Sequence, residues 1–262
     1  MISLKNKNIF IAGGSGYLGS VLCEEILKLD GNLFLADQDI KRSELVIKKL
    51  QKKYPKSKII FSHLNMIEPE SIFKNIKLAY QKFKYIDGLV NATFGSTSDK
   101  LSQLTAEKFN KANQINLTGS FLLMRGVANK MKKGGSIVMF ASMYGLVSPK
   151  IEMYPKNINP NPIEYGAGKA GLNQMVKYFS SYYGKNNIRI NAIVPGPFPN
   201  ITKAANNNKK FLSNLKNSTM LKRFGKPIET AKPTIFLLSD ASSYMTGCLL
   251  YTSDAADDDR GV

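Results

Sequence analysis

The sequence predicts an α/β protein, a doubly wound parallel sheet with helices on both faces. Three observations predict it. Strand-sized apolar runs alternate with helix-length amphipathic segments along almost the whole chain. A glycine-rich turn, Gly13 to Gly19, stands between the first strand and the first helix. Asp37, Asn91, Ser142 and Pro195 each follow the carboxyl end of a strand, where open parallel sheets bind ligands.

The elements follow in order. Asn8–Ala12 reads as a buried strand, and Leu18, Val21, Leu22, Ile26 and Leu29 give the next helix its apolar side. Asn32–Ala36 is the second strand and Arg42–Lys53 a basic helix. Lys58–Phe61 is the third strand, with His63 in the turn after it and a helix over Pro69–Lys82. Ile86–Val90 is the fourth strand, followed by one long helix over Thr105–Lys130. Gly135–Phe140, the helix Ile163–Gly184 and the strand Ile188–Val194 complete the alternation. Asn200–Lys222 reads as a polar, Lys-rich, mobile segment, and Glu229–Ser239 as the final helix. No linker or repeat divides residues 1–247, so one domain is expected there.

Composition narrows the function. Hydrophobic residues make up 43% of the 262, enough for a full core. No apolar run reaches transmembrane length, and the N-terminus lacks a signal-peptide layout. Two cysteines make no disulfide framework and a single His makes no Cys/His metal site, so no metal and a cytoplasmic setting are expected. The formal charge is +18, but it comes from scattered Lys without a basic tail. No nucleic acid or membrane partner is therefore expected.

The chemistry gathers in Tyr165 and Lys169, four residues apart in a helical pattern. That spacing stacks them on one face. An ammonium near a phenol favours phenolate, so Lys169 is expected to lower the Tyr165 pKa. The glycine turn suits a dinucleotide, because the backbone can approach a pyrophosphate and the helix N-terminus offers N–H groups to it. Asp37 lies about twenty residues on, where a carboxylate can accept from ribose hydroxyls. NAD is the preferred cofactor. Lys41 and Arg42 follow closely, so NADP stays open, as does a plain capping role for Asp37.

This ordered set resembles a short-chain dehydrogenase/reductase, mostly in its classical pattern, from about residue 7 to residue 247. The residues that carry the resemblance are the glycine turn, Asp37, Asn91-Ala92, Asn116, Ser142-Met143-Tyr144-Gly145, Tyr165 with Lys169, and Pro195-Gly196-Pro197. Gly225-Lys226-Pro227 and Met245-Thr246-Gly247 extend it. The resemblance implies a Rossmann-type sheet and an NAD(P)(H)-dependent oxidoreductase acting on a secondary alcohol or ketone. It implies Tyr165 as proton donor and acceptor, with Lys169 as its partner and a ribose contact. Ser142 would bond the substrate oxygen, and Asn116 would hold a relay water. A strand-end cap for Ser142 and a helix-backbone bond for Asn116 are the alternatives. Cofactor contacts are implied for Gly13, Ser15, Gly16, Tyr17, Leu18, Gly19, Asp37, Asn65, Asn91, Ala92, Tyr165, Lys169, Pro195 and Gly196.

Departures from the family pattern are visible. Ala12 replaces a Thr, the turn is spaced Gly13-x2-Gly16-x2-Gly19, and Asn65 replaces an Asp. The Asn-Asn-Ala-Gly signature is reduced to Asn91-Ala92-Thr93. Between Ser142 and Tyr165 the chain is about ten residues longer than the common classical pattern; the extra piece, roughly residues 149–162, is Pro-rich and would overhang the pocket, with a plain surface insertion as the alternative. Together with Asn161-Pro162-Ile163-Glu164-Tyr165, this piece is similar to members that modify surface sugars or flagellin glycans, which implies a sugar or polyol substrate. Lys203, Lys209, Lys210, Lys216, Lys222 and Arg223 would attract an anionic substrate, and general Lys richness explains them equally.

The end of the chain breaks the pattern. Residues 248–257 resemble the translation of a transposon-type sequencing adapter, so residues 248–262 are expected to be a non-native tail. The last strand is then expected to be missing or imitated by Leu249-Leu250-Tyr251. With a native tail, a homodimer or homotetramer is implied by the resemblance. The competing functional reading is a cofactor-binding protein of this type without turnover, serving as regulator or scaffold.

Overall fold

The computed structural model describes residues 2–200 and 208–253. Lys203 and the part of the expected tail beyond residue 253 lie outside the described residues.

Seven parallel strands form one sheet in the order β3-β2-β1-β4-β5-β6-β7. They are β1 (Asn8–Ala12), β2 (Asn32–Asp37), β3 (Ile59–His63), β4 (Gly88–Asn91), β5 (Gly135–Phe140), β6 (Ile188–Pro195) and β7 (Leu249–Thr252). Helices cover both faces. The doubly wound α/β architecture is the expected one. Strand β1 is buried along its whole length, so its residues divide between two cores. Phe10 and Ala12 face one core, with Phe34, Met139 and Ala192. Ile9 and Ile11 face the other, with Leu33, Leu35 and Val138. Each of the larger side chains, Phe, Ile, Leu, Met and Val, contributes roughly 2 kcal/mol of burial.

On the first face lie α3 (Pro69–Phe83), α5 (Ser120–Ala128) and α6 (Ile163–Tyr183), through Ile72, Leu123 and Leu172. On the second lie α1 (Tyr17–Lys28), α2 (Ile40–Lys53) and α8 (Ile228–Leu238), through Leu22, Ile47 and Ile235. Strand β1 pairs with β2 on one side and β4 on the other. The winding reverses there, which opens a crevice beyond the strands' carboxyl ends.

Three sequence expectations change. The single helix over Thr105–Lys130 is instead α4 (Ala106–Asn113), a π-helical stretch (Gln114–Gly119) and α5. The side chain of Asn116, inside the π stretch, reaches out to the backbone of Gly95. The polar segment Asn200–Lys222 contains a helix, α7 (Lys209–Asn217), whose first N–H groups are capped by Asn208. The expected turn residue His63 instead ends β3, paired with Asp37.

The last strand is present. Leu249–Thr252 runs parallel to β6, from Ala192 to Pro195. Asn191 anchors its approach by donating to Met245 O at 2.9 Å and accepting from Cys248 N at 3.0 Å. Leu249 packs on one core and Leu250 on the other, which is the alternation a strand requires.

Candidate active site

Tyr165 sits in the first turn of α6 and Lys169 one turn further along. Helix α6 comes unusually close to the π stretch at Gly168. A Cβ there would stand 2.6 Å from Asn113 Oδ1 and 2.7 Å from Asn116 Cβ. Glycine therefore lets the helix bring both side chains against the ends of β4 and β5. Lys169 is buried and donates from Nζ to Phe140 O at 2.6 Å, with Thr93 O at the 3.5 Å limit. Burial pushes its ammonium down to about 7.

The phenol of Tyr165 behaves differently from the sequence expectation. Burial pushes its pKa up, and a hydrogen bond with Ser142 acts in the opposite direction. The Lys169 ammonium lies 5.6 Å from the Tyr165 ring centroid but is itself desolvated. At Tyr165 the Ser142 contact, rather than the Lys169 charge, therefore opposes burial. Ser142 also opens a short 3-10 turn, Met143–Gly145, accepting from Tyr144 N at 3.2 Å. The capping and site-facing placements of Ser142 thus coexist.

The glycine turn fits a dinucleotide pyrophosphate. A Cβ on Gly19 would lie 2.3 Å from Gly13 O, so only glycine allows α1 to start this close to the turn. No side chain caps the N-terminus of α1, which leaves its first N–H groups available to an anion. Asp37 is buried at the end of β2. Its Oδ2 accepts from Ser15 N at 3.0 Å, and its Oδ1 from Asp39 N at 3.1 Å and Arg42 Nη2 at 3.3 Å. Arg42 Nε also donates to Ser15 Oγ at 3.0 Å. The carboxylate thus locks turn to strand, with the guanidinium beside it.

A single cavity of about 760 Å³ joins these parts. Gly13, Ser15, Gly16, Tyr17, Leu18, Gly19 and Ala92 line it at one end, and Ser142, Tyr165, Lys169, Pro195 and Gly196 toward the other. Asp37 lines a smaller pocket beside it, of about 100 Å³, with Gln38, Arg42, Leu64 and Met66.

Three expected residues do not line either cavity. Asn65 spends its carbonyl on Ile67 N and its amide on Glu68, so its neighbours Leu64 and Met66 form the wall instead. Asn91 is buried, donating to Ser120 Oγ and accepting from Thr93. Asn116 gives both ends of its amide to Gly95, at 2.8 Å each. Asn91 and Asn116 thus shape the loop after β4 from beneath.

Several lining residues escaped the sequence reading. Phe94, Ser96, Asn161 and Asn200 all face the large cavity. Buried Glu164 holds Thr97, through N at 2.9 Å and Oγ1 at 2.8 Å.

A parallel sheet wound both ways, with a bare helix N-terminus and a Ser–Tyr–Lys group in one cleft, defines the class of nicotinamide-dependent oxidoreductases. Residues 18–254 match a family model described as enoyl-(acyl carrier protein) reductase, and the chain belongs to the short-chain dehydrogenase/reductase family. It is 28% identical over 257 residues to the post-translational flagellin modification protein A of Campylobacter coli, covering 96% of this chain and 98% of that one. It is 28% identical over 256 residues to a 2,5-dichloro-2,5-cyclohexadiene-1,4-diol dehydrogenase of Sphingobium indicum, covering 95% and 96%. Among solved structures, it is similar to a short chain dehydrogenase of Leptospira borgpetersenii with bound NAD+. That likeness has a TM-score of 0.81 and 27% identity, covering 96% of this chain and 93% of that one.

Proposed function

We propose that the protein moves hydride between a nicotinamide cofactor, NAD in preference to NADP, and a secondary alcohol or ketone on a sugar-like or polyol ring. One observation carries this reading: Ser142, Tyr165 and Lys169 share a single cavity with the glycine turn. The cofactor supplies the hydride acceptor or donor, and the protein supplies position and proton. The turn and the α1 N-terminus would hold its pyrophosphate, Asp37 its adenosine ribose, and Lys169, Pro195 and Gly196 its nicotinamide half.

In reduction, the Tyr165 hydroxyl gives its proton to the carbonyl oxygen as negative charge develops there. In oxidation it takes the alcohol proton. Ser142 Oγ steadies the same oxygen and the phenol together. Lys169, close to neutral pH in its titration, passes a proton onward without a large energetic step. The Asn116 amide is committed to Gly95 and is not available to hold a relay water.

The similarity to a dehydrogenase of a cyclic diol supports a ring alcohol as substrate. The test is turnover of NADH and NADPH with a panel of keto-sugars and cyclic diols or ketones. Tyr165→Phe is expected to cost about 10³-fold in turnover and to leave NADH binding, followed by cofactor fluorescence, unchanged. Full activity in that variant would remove Tyr165 from the proton-transfer role. Tight NADH binding by the wild type with no turnover on the panel would favour a binding protein.

A further inference from the structure

Glu164 is fully buried one residue before Tyr165. One oxygen accepts both bonds from Thr97, and the other, Oε2, is buried with no hydrogen-bond partner. A buried carboxylate satisfied on one side only is costly for the fold. Its bonds reach 67 residues back, to the loop after β4.

That loop is pinned at four successive places. The Asn116 amide holds Gly95 from both ends. Glu164 holds Thr97, Asn159 of the insertion donates to Ser98 O at 2.9 Å, and Lys108 pairs with Asp99 at 2.8 Å. Around the first two pins, Phe94 and Ser96 face the cavity. Phe94 is 64% exposed, a large apolar ring open to the cavity rather than to the core. It stands edge-on to the Tyr165 ring, with centroids 6.2 Å apart and planes at 89°.

We infer that Glu164 is a positioning residue that ties this loop to the helical turn carrying Tyr165, so that Phe94 and Ser96 form a substrate-facing wall at a set distance from the Tyr165 hydroxyl. The same turn of α6 supplies the proton donor and clamps the wall. An aromatic ring beside a hydroxyl suits a substrate with an apolar ring face and hydroxyl edges, because the ring stacks on C–H groups and Ser96 bonds an edge. The inference rests on the oxidoreductase reading above and deepens it by naming the wall that selects the ring.

Two measurements test it. In the first, Glu164→Ala and Phe94→Ala each raise the KM for the ring substrate about tenfold, with the NADH Kd within about twofold and kcat within about threefold. Glu164→Gln, whose amide oxygen can still accept both Thr97 bonds, brings KM back to within about threefold of wild type. The double variant is no worse than Phe94→Ala alone, because the two act through one wall. An unchanged KM in Glu164→Ala, or effects that multiply in the double variant, would overturn the inference. Should Glu164→Ala not fold, Thr97→Val removes the hydroxyl bond from the loop side. It is expected to raise KM at least about threefold, and no rise overturns the inference.

The second measurement needs no substrate. Hydrogen exchange at the Thr97 amide is expected to be at least about tenfold faster in Glu164→Ala, with protection retained in Glu164→Gln. Unchanged exchange in Glu164→Ala overturns the positioning role even in an active enzyme. A wild type that turns over nothing on the panel sinks the oxidoreductase reading instead, and the exchange result then decides the clamp by itself.

Discussion

The glycine turn at the head of α1 and the rim formed by residues 149–162 border the same cleft, but they are built from different materials. The turn is built on backbone contacts, with the Asp37 carboxylate locking Ser15 to the end of β2. Gly16 N donates to Gly13 O at 3.2 Å, and Gly13 N to Ala36 O at 2.8 Å. The rim is held by side chains drawn from remote segments. Tyr154 packs on Phe211 of α7 with ring centroids 5.0 Å apart, and Asn214 donates to Met153 O at 3.1 Å. A backbone cradle accepts one ligand shape and tolerates no added atoms. A side-chain rim can be re-cut residue by residue. On the function proposed above, the cofactor would bind on the rigid side of the cleft and substrate choice would fall on the adjustable side.

The sharpest way to break this contrast is at Gly19. Valine there puts a Cβ 2.3 Å from a backbone oxygen that cannot move without unseating the turn. The expected loss is at least about 3 kcal/mol in stability, together with loss of NADH binding. Thermal unfolding and cofactor fluorescence read the two effects. A Gly19→Val protein with wild-type melting and binding would mean that the turn is adjustable after all.

Lys169 stands where the two regions meet, and its effect depends on pH. Desolvation holds its pKa in the folded chain at about 7, against 10.5 for an ordinary Lys. Between those values the unfolded chain binds more protons than the native one, so wild-type stability gains a rising contribution as pH climbs through that window. Lys169→Met lacks this contribution. The melting difference therefore favours the variant most below pH 7 and shrinks toward pH 10.5. A swing of about 2 kcal/mol is expected after allowance for the open cavity beside it. Scans of both proteins across that window check it, and a pH-independent difference would show that the Lys169 ammonium is not desolvated.

The same contrast explains what the sequence made legible. The strands could be read because both faces of the sheet are buried, which writes each one as a continuous apolar run. The glycine turn could be read because its geometry restricts residue type. Ser142, Tyr165 and Lys169 could be read from their order along the chain. The Glu164–Thr97 clamp and the Phe94 wall could not, because they depend on the path of a loop that no local pattern fixes. The π stretch was hidden for the same reason, since the Asn116–Gly95 pair within it crosses between elements. Helix α7 was masked by its lysines. Its apolar content is little more than Phe211, Leu212 and Leu215, enough to dock on the insertion but too little to stand out in a polar stretch.

The smallest effect belongs to the rim itself. The Tyr154 hydroxyl lies 3.0 Å from the Tyr144 hydroxyl, and Tyr144 is two residues beyond Ser142. This contact links the Pro-rich insertion to the turn that Ser142 opens. Tyr154→Phe removes one neutral hydrogen bond and leaves the packing on Phe211 in place, so the stability cost is about 1 kcal/mol. If the rim is adjustable, the consequence falls on substrate rather than cofactor. KM for the ring substrate shifts by about threefold, while the NADH Kd holds. A change in NADH affinity with KM untouched would couple the insertion to the cradle and end the division of labour between the two sides.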